Sequence, residues 1–578
     1  MKILLVALNA KYIHSNIAVY SLRAFADKYA DNIKIIELTI NHLEDDILKK
    51  IYMEKADIIA FSCYIWNIDM ITRITSEVKK VQKDAKIWYG GPEASYKVRL
   101  CLQENESLDG IMYGEGEETF RELVSYYLEG EKKLNHIKGI AFKDSALTKQ
   151  DKGDGITVTD FRPLLDLDTI PFPYKDIEIF QNKIIYYESS RGCPFSCSYC
   201  LSSIDKKVRL RCTELVKKEL KLMLDKQVPQ VKFVDRTFNC NKKHAMEIWR
   251  FIKEYDNGIT NFHFEISADL LTEEEIEFLG SLRPGQVQFE IGVQSTNPDT
   301  VAAIHRKMDF HKLSQNVKKI KEGRNIHQHL DLIAGLPLED YSSFEQSFKD
   351  VYQLKPDQLQ LGFLKILKGS LMEEESSRYG IIYRDFAPYE VLSTNQLSYE
   401  EVLRIKGICE MVEVYYNSAQ FTYSITFLEH FYSSPMKLYQ ALSDYYEEKG
   451  YAMISHSRVS RYEILHNFYL DILQDKAMAE EREDYVQIFK ELLVFDMLLR
   501  EGMKSRPDFY VKKTPQSNLR ELYKKYPQDR RIIHMEPFSY DLEAASLWGK
   551  AVKKDCIIVF DYSQRDSLSY AAKYTKIE

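Results

Sequence analysis

Two stretches of this 578-residue chain alternate short apolar runs with segments of helical periodicity, and that alternation restricts the fold more than any other feature. In residues 1 to about 145 the apolar runs are Ile3 to Leu8, Ile33 to Leu38, Ile58 to Cys63, Lys86 to Tyr89 and Gly110 to Tyr113, with amphipathic segments such as Ile71 to Val81 between them. Strands that alternate with helices form a parallel, doubly wound sheet covered on both faces. The pattern returns over residues 183–390, where Ile184 to Ser189, Val231 to Asp235, Phe262 to Ile266, Gln286 to Val293, His329 to Ile333 and Gln358 to Leu364 read as six strands. Helices such as Thr213 to Leu224 and His311 to Lys321 separate them.

Residues 146–182 are polar and rich in proline, from Asp151-Lys-Gly-Asp-Gly155 to Pro173, and read as an extended linker. Leu164, Leu165 and Leu167 imply that the linker packs on a neighbour. Residues 391–578 read as a mostly helical α+β domain, with amphipathic runs at Glu400 to Tyr416, Lys437 to Tyr446, Tyr462 to Leu473 and Tyr485 to Leu499. Arg531 to His534 and Cys556 to Tyr562 are strand-like. The class is therefore α/β, and the length suits about three domains with boundaries at 1–145, 183–390 and 391–578.

Directly after the first strand of the second stretch stands Cys193-Pro-Phe-Ser-Cys197-Ser-Tyr-Cys200. Three thiolates on one tight loop can hold three irons of a [4Fe–4S] cube and leave the fourth iron without a protein ligand. A structural zinc site is the plainer alternative, but it wants four ligands, usually as two separated pairs. No second C-x2-C occurs, so Cys212 or Cys240 would have to complete it. Nine cysteines, three of them in this motif, do not form a disulfide framework and suit a reducing compartment. No run of about 18 apolar residues occurs, and Met1-Lys-Ile-Leu-Leu-Val-Ala-Leu8 is too short for a signal peptide, so a cytoplasmic location and no membrane partner are expected.

The net charge of -8 does not favour nucleic acid over the whole surface. Lys504 to Arg531 departs from that average with nine Lys/Arg against three acids, interleaved with Tyr510, Tyr523 and Tyr526. Such a stretch can grip phosphates and stack bases, or can be a solvated face over packed tyrosines.

The cysteine spacing, with Tyr199 before the third cysteine, resembles the radical S-adenosylmethionine (SAM) superfamily. In that superfamily SAM chelates the fourth iron and is cleaved to a 5′-deoxyadenosyl radical. The succession of loops Ser62 to Asn67, Gly90-Gly91-Pro92-Glu93 and Gly114-Glu115-Gly116-Glu117 resembles the domain that precedes the radical module in the cobalamin-dependent radical SAM family. The resemblance covers roughly the first 390 residues. It implies a Rossmann-like cobalamin-binding domain followed by a partial (β/α)6 barrel, with a [4Fe–4S] cluster, SAM and cobalamin as cofactors.

On the same resemblance, cobalamin is expected to meet Asn9, Ala10, Ser62, Cys63, Tyr64, Trp66, Asn67, Gly90, Gly91, Pro92, Glu93, Gly114, Glu115 and Gly116. SAM is expected to meet Tyr199, Asp235, Arg236, Glu290, Gln294 and Gly335. Asp-x-His-x-x-Gly is absent and His14 lacks its Asp and Gly partners, so no protein axial ligand to cobalt is expected. No catalytic side chain is assigned. Glu265 reads as a structural partner of a cation, and Arg306 as solvated. Lys206, Lys207, Arg209 and Arg211 read as a solvated face or an anion holder.

The implied activity is methyl transfer to an unactivated carbon or phosphorus through the 5′-deoxyadenosyl radical and methylcobalamin. The alternatives are a non-methylating cyclase or rearrangement enzyme, an enzyme that modifies tRNA or another RNA, and a cobalamin or redox sensor. The expected partners are a flavodoxin- or ferredoxin-type electron donor and a small-molecule or RNA substrate. Because a radical must be shielded from water, residues 391–578 are expected to cap the mouth between the two cofactor domains and to lend aromatic side chains to the substrate pocket.

Overall fold

The computed structural model describes residues 1–130, 133–144, 154–475, 482–502, 507–510, 523 and 532–577, with backbone only at 473–475 and 482. Five parallel strands lie near the expected positions: β1 (Ile3–Asn9), β2 (Ile33–Thr39), β3 (Ile58–Ser62), β4 (Lys86–Gly90) and β5 (Gly110–Met112). Their sheet has the order β2-β1-β3-β4-β5 and continues through two antiparallel strands, β6 (Ile140–Lys143) and β7 (Ile156–Val158). All seven residues of β1 are buried, as a central parallel strand with helices on both faces requires. Within the stretch read as a linker, Ile156–Val158 is thus an edge strand; three residues are too few for a period to show. Leu167, Ile170, Tyr174, Ile177 and Phe180 anchor the rest of that stretch, whereas Leu164 is exposed.

The second sheet contains six parallel strands in chain order: β8 (Ile185–Tyr187), β9 (Gln230–Phe233), β10 (Asn261–Ile266), β11 (Val287–Gln294), β12 (Ile326–Ala334) and β13 (Gln358–Phe363). Its order is open, a partial barrel. Side chains alternate strictly along β11 and β12, so that Val287, Phe289, Ile291 and Val293 are buried while the residues between them are half-buried. The buried set packs under outer helices such as Thr213–Asp225 and Lys242–Glu254.

Helices Tyr399–Val412, Thr422–Glu429, Pro435–Glu448, Arg458–Asp475 and Arg482–Arg500 follow, and an antiparallel sheet ends the chain. Its strands are β14 (Ile533–Tyr540), β15 (Lys553–Arg565) and β16 (Ala572–Ile577). The described helices of this domain pack on the outside of the barrel, while its first residues, 391–397, lie over the mouth. Cys409 donates to Leu361 O (3.4 Å) and Asn417 to Leu359 O (2.9 Å), covering the open edge of β13. Tyr439 meets Tyr352 on the outer helix Tyr341–Tyr352 (Oη to Oη 2.9 Å). Ser567 lies against Gly285, which precedes β11, so the domain reaches the amino ends of the strands. An unpaired strand edge and an aromatic helix face draw it there, and neither is visible in its own sequence. The nine cations of the Lys504 to Arg531 stretch lie outside the described residues.

The cover of the mouth is formed by residues 364–397, so only the start of the C-terminal segment takes part in it. Val391 packs on Gly335, and Met372, Tyr379 and Ile381 join Tyr199, Ile304 and Leu336 in a small apolar cluster.

Candidate cofactor and substrate site

The carboxyl ends of the two parallel sheets face each other across one interface. His14, in the loop after β1, has Nδ1 2.7 Å from Tyr186 Oη on β8, and Ser15 donates to Ile184 O at 2.8 Å. Arg191, just beyond β8, reaches Glu115 (3.1 Å) and Glu117 (2.8 Å) of the glycine loop after β5, and also Glu188 (2.7 Å). Arg209 adds a 2.5 Å contact to Glu115. On the other side, Glu93 accepts from Tyr389 and lies 3.0 Å from Lys368 Nζ. The run Lys206 to Arg211 is therefore only partly a solvated face: Arg209 binds the first domain, and Arg211 is buried against Glu219 at 2.8 Å.

Cys193 and Cys197 are buried and Cys200 is half-buried, all three as free thiols on one loop. Gly192 makes that loop possible, because its φ is +95° and a Cβ there would lie 2.5 Å from Lys207 O. Thr237 Oγ1 stands 3.7 Å from Cys193 Sγ, and Arg306 Nη1 stands 3.8 Å from Cys197 Sγ. Arg306 also donates to Gly292 O, so it is a buried partner of the cysteine loop and not the solvated residue expected. Burial pushes the Cys197 thiol up, and the guanidinium opposes that shift, favouring thiolate. Among the described residues no three His, Cys, Asp or Glu side chains converge on one point, as a single zinc ion needs. A cube instead spreads three thiolates over three irons, and this free, cation-flanked set fits it.

The residues expected around SAM divide. Tyr199, within the cysteine loop, packs against the apolar cluster under the cover, and Arg236 is exposed. Asp235 is 1% exposed and accepts from Ser189 N (3.0 Å), Ser189 Oγ (2.7 Å) and Ser190 Oγ (2.5 Å). It therefore positions the entry to the cysteine loop and has no face left for a ligand. Gly335 lies under Val391, where a Cβ would come within 2.6 Å of it. Glu290 lies 2.8 Å from Lys232 Nζ and 3.1 Å from His263 Nε2. Burial pushes this carboxyl up, but His263 and Lys232 outweigh burial and hold it well below the usual range. Gln294 stands at φ +73° with Oε1 lacking a hydrogen-bond partner.

The cobalamin set divides in the same way. Asn9 is tied to His14 O and Glu37, Ser62 accepts from Asn16, and Asn67 fastens its own loop to Leu8 O at 2.9 Å. Cys63 is buried under Gly90 O, and Glu93 and Glu115 are held by the barrel side. Tyr64 and Trp66 stack at 4.3 Å with their planes 8° apart. Gly91 (φ +107°) allows its loop within reach of Cys63 O, while the space beside Gly114 (φ +75°) is open. Gly90 packs beside Met112 and Gly116 beside Leu22, whereas Ala10 and Pro92 remain on the surface of the interface loops. Flat aromatic and glycine surfaces at the strand ends fit a large planar cofactor, and His14 is engaged by Tyr186.

Sequence reasoning missed Arg191, Lys232, His263, His329 and Glu339. Alternation along β10 to β12 was the available signal for the inward-facing residues among them. Glu339 accepts from Ser295 Oγ (2.5 Å) and Ser347 Oγ (3.1 Å), bracing the loop after β11. Burial raises its carboxyl to about 7, against about 4.3 for an unfolded glutamate. The folded chain thus prefers the protonated form, so this contribution is full below about pH 4 and is lost as pH rises towards 7. Buried Asp496 (about 7) and Asp235 (about 6) act in the same direction. Glu339→Gln should therefore gain urea resistance over the parent progressively from pH 4.5 to 7.5; a constant gap across that range would show that Glu339 does not titrate this way.

Three family models match the chain in succession: B12 binding domain over residues 3–124, Radical SAM superfamily over 187–351, and Protein of unknown function (DUF4080) over 377–560. An uncharacterised methyltransferase of Pyrococcus horikoshii is 26% identical over 54% of this chain and 67% of its own. The cobalamin-dependent radical SAM methyltransferase TokK of Streptomyces tokunonensis is 22% identical over 68% of this chain and 61% of its own. An anaerobic magnesium-protoporphyrin IX monomethyl ester cyclase of Rubrivivax gelatinosus is 23% identical over 57% and 60%. Among these and a carbapenam methyltransferase of Streptantibioticus cattleyicolor, the chain spans between 44% and 67% of the relatives' length.

In fold, the chain is similar to the cobalamin-dependent SAM radical enzyme OxsB with aqua-cobalamin bound (TM-score 0.58, 16% identity, 86% of this chain and 80% of that one). Fold and site together define a radical SAM protein with a second cofactor domain. The chain belongs to the cobalamin-dependent radical SAM enzymes, whose cofactors are a [4Fe–4S] cluster, SAM and cobalamin. Among the described residues no helix is long and apolar enough to cross a membrane.

Proposed function

We propose that the protein is a methyltransferase that places a SAM-derived methyl group on an unactivated carbon or phosphorus of a substrate held at the barrel mouth. The observation that carries this reading is the apposition of the cysteine loop and the Gly-Gly-Pro-Glu loop beneath one cover, residues 364–397. The bound cofactors would supply a radical from SAM and a cobalt carrier for the methyl group. The chain supplies alignment and the exclusion of water.

Cys193, Cys197 and Cys200 would hold the cluster, with Arg306 beside the Cys197 sulfur favouring its thiolate. Arg236, Gln294 and Tyr199 would meet SAM. Ala10, Tyr64, Trp66, Gly91, Pro92 and Gly114 would meet cobalamin, with no axial side chain. A functional division at 1–145, 183–390 and 391–578, a flavodoxin- or ferredoxin-type donor and a cytoplasmic setting complete the proposal.

Anaerobic reconstitution with iron, sulfide, cobalamin and methyl-labelled SAM, incubated with a small-molecule extract of the source cells, tests it. Label is expected in a substrate, with one 5′-deoxyadenosine formed for each methyl group transferred. If 5′-deoxyadenosine forms with a changed substrate that carries no label, the enzyme is instead a cyclase or rearrangement enzyme.

A further inference from the structure

Much of the inner face of β8 to β13 is polar, although a parallel barrel ordinarily fills that space with branched apolar side chains. Tyr186, Lys232, Glu265, Glu290, His329 and Asp331 are half-buried there, alternating with apolar residues that pack under the outer helices. Glu265 and Glu290 are opposite each other in register across β10 and β11, and Glu290 is opposite His329 across β11 and β12.

Of the three carboxylates on this face, Glu290 and Asp331 have cationic partners and Glu265 does not. Glu290 is neutralised by Lys232 and lies 3.1 Å from His263, whose burial favours the neutral imidazole. Glu265, among the described residues, has no hydrogen bond and no ion pair. Arg236 and, more weakly, Lys232 act on it only through their fields. Asp331 Oδ1 lies 3.1 Å from His329 Nε2 in an ion pair that favours the charged imidazole, although the pair is not aligned as a hydrogen bond and leaves Oδ1 able to accept one. His327 Nδ1 and Gln294 Oε1 are unpartnered. A buried polar group left without a partner is destabilising, so several on one face describe a surface shaped for a ligand and not for packing.

We propose that this inner face binds the ammonium group of the substrate, with Glu265 and Asp331 as its acceptors, and that the substrate is therefore a small polar amine, not an apolar lipid or a tetrapyrrole ester. The inference rests on the reading that catalysis occurs at this mouth. An ammonium group between the two carboxylates supplies Glu265 with the positive charge it lacks and donates to both it and the unbonded Asp331 Oδ1. Lys232 is unavailable for this, because Glu290 holds it. An apolar substrate would leave Glu265 without a partner and Asp331 Oδ1 without a donor.

The test splits the cell extract into material retained by a cation exchanger at neutral pH, material retained by an anion exchanger, and chloroform-soluble material. Each portion is given to the reconstituted full-length enzyme with methyl-labelled SAM. Label is expected in the cation-exchange portion. Glu265→Gln should lower incorporation at least tenfold with iron content unchanged, Glu265→Asp should restore part of it, and Asp331→Asn should behave like Glu265→Gln. Label confined to the anion-exchange or chloroform portion overturns the inference. If the cation-exchange portion stimulates 5′-deoxyadenosine formation without taking label, the amine stands and methyl transfer falls. If that portion neither takes label nor stimulates cleavage, the amine is wrong.

Discussion

Cys197→Ala protein, purified and reconstituted without oxygen, is expected to lose the four-iron absorbance and to cleave SAM below detection. Each thiolate of the loop binds a different iron, so no neighbouring thiolate can take over the lost position. Cys193→Ala and Cys200→Ala should behave the same way. The informative control is Cys240, half-buried in the turn Phe238–Cys240 and near enough to Cys193 that a thiolate there would be felt electrostatically. Cys240→Ala should keep full iron content, as should Cys212→Ala, whose thiol is exposed. SAM cleavage by the reconstituted Cys197→Ala protein would refute the assignment of the loop. Loss of iron from Cys240→Ala would show a fourth protein ligand and revive a closed metal site.

The second large effect is expected at Arg191. Its guanidinium is surrounded by Glu115, Glu117 and Glu188, of which two belong to the first domain and one to the barrel strand's own end. Burial disfavours the charged guanidinium, but Glu188 and Glu117 outweigh it and raise its pKa well above the ordinary value. Arg191→Met removes the only group shared by all three and leaves like charges together in a poorly solvated place. Loss of one partner of a buried ion pair typically costs about 3–5 kcal/mol. The variant should therefore unfold in urea at a clearly lower midpoint and release cobalamin more readily. Arg209→Met should cost less, since Glu115 would keep Arg191. An Arg191→Met midpoint indistinguishable from the parent would mean that the two domains are held by their other contacts alone.

The strands of both sheets were legible because each is a local apolar run set off by amphipathic helices, and local pattern is what burial on both faces imposes. The small pieces were not: β6 and β7 have four and three residues, too few to display a period. The cluster loop was legible for a related reason, since all three thiols fall within eight residues and the iron chemistry depends on that spacing.

The roles of the charged residues around the loop depended on partners far along the chain. Arg306 meets Cys197 across 109 residues, Asp235 meets Ser189 across 46, and Glu93 meets Tyr389 across 296. A carboxylate in a loop looks equally suited to a cofactor or to an arginine, and only the arginine's position decides which one takes it. The C-terminal domain shows the same limit, because its amphipathic helices specify that a face must be buried and not which surface will bury it. The sequence by itself determined two parallel sheets and a loop able to hold three irons. Tertiary structure alone decided which polar groups are already paired, what covers the mouth, and which charges remain on the inner face, because each of these is a matter of long-range complementarity between surfaces.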